Sequence, residues 1–167
     1  MNAAHWHLLL NHLPIIGSII GMGIFVAGFI FNNNAVVKRT ALGVFIFSAL
    51  ITIPAFFTGE GAEEAVENLP GVMESIIEEH EELGKIFLLV MSTLGVISLL
   101  TFFADMRKLK ASKTLYILVF LVGTVSIYFG ATTGVSGGKV RHTEIRDNQV
   151  ISEQGEVDEA EETEEKD

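Results

Sequence analysis

The run LGKIFLLVMSTLGVISLLTFFA, from Leu83 to Ala104, holds one charge in 22 residues, Lys85, near its start. About 20 apolar residues in a helix cross the roughly 30 Å of hydrocarbon in a bilayer, so this stretch reads as a membrane span. Lys85 sits early enough to snorkel its ammonium to the interface. Three further runs share the pattern. Leu13 to Phe31 ends at Asn32-Asn33-Asn34, Ala41 to Phe57 is shorter and carries Pro54 near its end, and Leu115 leads to about Val135. In lipid every backbone polar group must be satisfied within its own segment, which makes each run a helix. The expected fold is all-α: a four-helix transmembrane bundle over residues 1–146, with spans at 13–31, 41–57, 83–104 and 115–135.

Composition agrees. Hydrophobic residues are 49% of the 167-residue chain and charged residues 19%, with a mean hydropathy of +0.45. A soluble domain carries about 25% charged residues, and rarely segregates them between long apolar runs. Cysteine is absent, which removes disulfides, thiolate ligands and cysteine catalysis. The net charge of −10 argues against nucleic acid as a partner. Met1 to His7 contains no Lys or Arg, so the first run reads as a retained span and not as a cleaved signal.

Lys and Arg near span ends set the expected orientation. Lys38 and Arg39 fall between spans 1 and 2, and Arg107, Lys108, Lys110 and Lys113 between spans 3 and 4. These short basic loops share one face, expected to be cytoplasmic. Both termini then lie on the periplasmic side of a bacterial inner membrane, with 20 of the 21 acidic residues.

On that acidic side, Gly61 to Asn68 reads as a short helix broken at Leu69-Pro70-Gly71. A second amphipathic helix begins near Val72 and runs into span 3. Val72, Met73, Ile76, Ile77, His80, Leu83 and Phe87 recur at helical spacing on one face, with Glu74, Glu78, Glu79, Glu81 and Glu82 on the rest. Gly17, Gly21, Gly28 and Gly95 would let helices approach closely. Residues 147–167, acidic and poor in apolar side chains, read as a disordered tail.

All five histidines, His5, His7, His12, His80 and His142, fall on the acidic side. Neutral imidazole is a common metal ligand and an axial ligand of haem iron. Bundles build such sites from side chains on facing helices. His7 and His12 are about 140° apart around a helix, so they do not easily serve one site. His12 and His80 each lie within a turn of their span's first long apolar residues, which makes His12 with His80 the expected pair. His7 with His142 is a possible second one. Histidines at an interface also occur as plain amphipathic residues. Thr58-Gly59 after span 2 and Gly134, Gly137 and Gly138 near the end of span 4 would let a flat ligand approach the backbone. Thr58-Gly59 reads more simply as a helix terminus, and the glycines after span 4 equally as a flexible exit from the membrane. No CxxCH and no HExxH motif is present.

Taken together, His7, His12-Leu13-Pro14, Thr58-Gly59, His80-Glu81-Glu82-Leu83-Gly84 and Gly137-Gly138-Lys139-Val140-Arg141-His142-Thr143-Glu144-Ile145 resemble a family of small bacterial four-span membrane proteins of unknown function, described as haem-binding. The likeness covers residues 5–146. The resemblance implies a b-type haem held near the outer face, with His7, His12, His80 and His142 as the matching positions.

The function expected from these readings is a cytochrome b-like electron carrier and not an enzyme. Haem b would be bound by His12 and His80, with His7 and His142 as a second pair or as propionate partners. Arg141 and Lys139 would neutralise propionates. The acidic face would steer a basic periplasmic cytochrome. Two alternatives stay open: a haem-free accessory subunit of a larger respiratory or other membrane complex, and a membrane protein holding a metal ion through His and Glu.

Overall fold

A computed structural model describes residues 2–146, and the acidic segment expected to be a tail lies outside them. Six helices follow in order: α1 (Ala3–Leu10), α2 (His12–Ile30), α3 (Ala35–Phe57), α4 (Gly59–Glu63), α5 (Glu74–Met106) and α6 (Ser112–Arg141). A 3-10 turn at Thr143–Ile145 follows α6. No strand occurs among the described residues.

Four helical stretches are long and apolar enough to cross a membrane: Ala3–Ile30, Ala35–Phe57, Glu74–Met106 and Ser112–Arg141. The protein is thus a multi-pass membrane protein. Large apolar side chains such as Ile20, Leu50, Leu89, Leu100 and Leu121 point outward, where lipid takes the place of water. The helices α2, α3, α5 and α6 form a closed ring in which each packs against two neighbours. Successive helices run antiparallel, so four crossings return the chain to the end where it began.

Association in lipid depends on close packing, since lipid tails are as apolar as leucine. Glycines and small hydroxyl residues supply that closeness. A Cβ on Gly21 would meet the Phe45 ring at 2.7 Å, and one on Gly95 would meet the Ala49 methyl at 2.5 Å. Several buried hydroxyls bond to carbonyls of their own helix, as Ser18 does to Ile15 and Thr52 to Ser48, each at 2.8 Å. Phe25, Leu42, Phe45, Phe87, Met91, Leu94 and Val119 fill the centre.

Several local expectations change. The connection between α2 and α3 shrinks to the asparagine turn, because Asn34 caps α3 by accepting from the Val36 and Val37 amides. Lys38 and Arg39 therefore lie in a helix and not in a loop. Lys38 is buried, donating to Asn33 Oδ1 at 2.9 Å with its ammonium over the Phe29 and Tyr116 rings at 4.8 and 4.6 Å. Gly28 leaves room for its stem. The short helix expected over residues 61–68 is α4 at Gly59–Glu63, followed by turns. The next helix starts at Glu74, two residues later than read, because Gly71 at φ 77 and the extended Met73 delay it.

Candidate functional site

The end of the bundle opposite Lys38 gathers the histidines, and their positions around each helix decide which of them meet. In α2 the buried residues Pro14, Ser18, Gly21, Phe25 and Gly28 mark the inward stripe. At about 100° per residue, His7 precedes Pro14 by two full turns and lies on that stripe. His12 is only two residues from Pro14, which turns it about 200° away. In α5 the same argument puts His80 one heptad before buried Phe87. The structure accordingly brings His7 to His80, with ring centres 6.3 Å apart and planes at 88°. His12, the expected partner of His80, is exposed and its Nδ1 engages the neighbouring Asn11 side chain. His142 caps α6 from outside and pairs with Glu144 at 2.9 Å. It does not join His7 among the described residues. His5 caps locally with Asn2, and Arg141 is exposed at the same end.

Both paired rings have an Nδ1 partner that orients them. His7 Nδ1 lies 2.9 Å from the Ala55 carbonyl, which only accepts, so this nitrogen carries the proton. That carbonyl is available because α3 ends two residues later, and Thr58 Oγ1 also donates to it. His80 Nδ1 lies 2.9 Å from Ser136 Oγ. Ser136 Oγ also lies 2.9 Å from the Thr133 carbonyl, and donating there leaves it to accept from His80 Nδ1–H. With Nδ1–H donated in this way, Nε2 of a neutral ring is the nitrogen left to bind a metal. A donated Nδ1–H that orients the ring is the usual support of a metal-binding histidine.

Backbone fit holds the rings in place. A Cβ on Gly137 would sit 2.8 Å from His80 Cε1, so only glycine lets α6 pass the ring. Gly59 lies beside His7, where a Cβ would make an ordinary contact at 3.6 Å. Two helices and two connections thus converge on the pair. Sequence reading singled out all of these positions except Ala55 and Ser136, whose part depends on residues far along the chain.

Around the pair the surface is acidic. Burial, then the charges of Glu81, Glu67, Glu60 and Glu64, push the Glu63 carboxyl above its ordinary value. Hydrogen bonds from its own amide and from His142 hold Glu144 below its ordinary value. Arg146 closes the far side, donating to the Lys139 and Val140 carbonyls at the end of α6 and to the Gly71 carbonyl. Among the described residues no group of three or more His, Cys, Asp or Glu side chains stands close enough to hold an ion.

Fold and site define a polytopic α-helical membrane protein with two imidazoles paired at one end. Compared with models of known families, with curated proteins and with solved structures, the chain matches none.

Proposed function

We propose that this protein is a b-type haem-binding electron carrier of the membrane, with His7 and His80 as the axial ligands. The observation that carries this reading is the pair of imidazole rings with centres 6.3 Å apart, each anchored through its Nδ1. Two nitrogens about 2 Å on either side of one metal place their ring centres roughly 6 Å apart. A haem supplies four nitrogens of its own and asks the protein for two more. A tetrahedral zinc site asks for three or four protein donors, and the described residues offer no such group. The resemblance to four-span haem-binding proteins points the same way, with His7 in the place first given to His12.

Haem contributes one-electron transfer when bound. The chain contributes the rest: Ala55 and Ser136 orient the imidazoles, Gly137 seats His80, and exposed Arg141 lies at the same end to meet propionates. The carboxylates of Glu60, Glu64, Glu67, Glu78 and Glu82 around that end would attract a basic redox protein, as expected of an outer, periplasmic face.

The test is a reduced-minus-oxidised spectrum of detergent-solubilised protein expressed with ample haem. Low-spin Soret and alpha bands are expected, lost in His7→Ala and in His80→Ala and retained in His12→Ala. Absence of the bands in the wild-type protein sinks the proposal. So does their loss in His12→Ala with survival in His7→Ala.

A further inference from the structure

The two imidazoles stand on elements of unequal fixity. His80 belongs to a long helix of the ring, between Ser136 and Gly137 of α6. His7 belongs to α1, a helix of eight residues that buries none of them. Trp6, Leu8 and Leu9 are 45%, 67% and 56% exposed. The backbone stays helical through Asn11, at φ −60 and ψ −31, but Asn11 gives α2 no side-chain cap. Three residues on, Pro14 has no amide hydrogen, so the Leu10 carbonyl lacks its usual helical donor. Away from its continuation into α2, α1 packs chiefly along α3 and the short α4. The His7 ring bonds to Ala55, and Ala3 packs on Gly61 of α4, a five-residue helix that also buries nothing.

We infer that α1 is a hinged strap that opens and closes about Asn11, taking His7 away from His80 and bringing it back. Closure completes the imidazole pair. Opening separates the two ligands and makes a side entrance for a flat macrocycle that could not thread between them. The ligand rests on the haem reading above, whereas the hinge does not.

The chain has no cysteine and a single tryptophan, Trp6, on the strap itself. An Ala3→Cys/Gly61→Cys pair therefore gives one possible disulfide. A Cβ on Gly61 lies 2.5 Å from that of Ala3, about 1 Å inside the usual disulfide span, and both residues are partly exposed and free to shift. The first measurement is hydrogen exchange on haem-free protein in nanodiscs. The amides of residues 7–10 are expected to exchange about 100-fold faster than those of Ser18 to Gly21, and about tenfold slower once the disulfide forms. Pro14→Ala, which restores the missing donor, slows them without any cross-link. The second measurement is haemin uptake, followed by the Soret band and by quenching of Trp6. The oxidised pair should load about tenfold more slowly than the reduced pair. Strap amides as protected as the α2 core overturn the inference, as does haemin that binds both forms and loads the oxidised and reduced pairs at equal rates. Fast strap exchange that the disulfide slows, with haemin bound by no variant, supports the hinge and removes the haem reading.

Discussion

Arg39 Nε lies 2.7 Å from the Asp105 carboxylate, joining the start of α3 to the end of α5 at the basic end of the bundle. Arg39 also reaches the Asp105 backbone carbonyl at 3.4 Å. The side chains keep 33% and 16% of their exposure, so the pair is neither a loose surface contact nor a fully buried one. Its coupling should be about 1 kcal/mol, near the top of the range for exposed pairs. Asp105→Ala and Arg39→Ala should each lower stability in detergent by about 1–2 kcal/mol, since each leaves a half-buried charge alone. The double variant should lose less than the sum. Strict additivity in the cycle, followed by denaturant unfolding, would show that the pair does not couple.

Ser136 is the support of His80 most easily removed. Ser136→Ala keeps the small side chain that α6 needs beside α5 but leaves His80 Nδ1–H without its acceptor. Loss of such an orienting partner typically weakens a metal site about 10- to 100-fold. Haem affinity should fall by that order while helical content stays the same. Gly137→Ala should do more harm, because its methyl meets the ring at 2.8 Å. Unchanged haemin titration curves for both variants would remove His80 from the site.

Gly95 and Gly43 give a matched comparison in two neighbouring helices. A Cβ on Gly95 meets the Ala49 methyl at 2.5 Å, while one on Gly43 meets nothing within 4 Å. Gly95→Ala should part α3 from α5 and cost about 1–3 kcal/mol, as overpacking does. Gly43→Ala should be neutral or stabilising by up to about 1 kcal/mol, the helix preference of alanine. Equal unfolding midpoints for the two would contradict the packing.

The membrane spans were legible because each depends on little more than an uninterrupted apolar run, as Leu83 to Ala104 shows. The glycines at 21, 28 and 95 were legible as contact points for the same local reason. Depth alone matches His12 with His80, whereas angle around the helix decides contact and sets His7 beside His80. The decisive signal was present: His7, Pro14, Gly21 and Gly28 repeat every seven residues on the inward face of the first span. The Nδ1 partners were beyond sequence reading, since Ala55 lies 48 residues from His7 and Ser136 lies 56 from His80. Only the fold brings them into hydrogen-bonding range.

The acidic end should respond to pH through Glu63. Its carboxyl is raised above 4.5 by burial first and then by Glu81, Glu67, Glu60 and Glu64. A folded state that holds a proton more tightly than the unfolded chain gains stability from protonation. That gain is fully present below about 4.5 and is lost as pH climbs through the raised value, so ionised Glu63 opposes the packing of α4 at neutral pH. Glu63→Gln keeps the shape of the protonated acid without its titration. Amides of α4 should exchange more slowly in Glu63→Gln than in the wild type when both are compared at pH 7. The two should converge when compared well below pH 4.5, where the wild-type side chain is neutral as well. Equal exchange at neutral pH, or slower exchange in the wild type, would mean that the neighbouring carboxylates do not act on this residue.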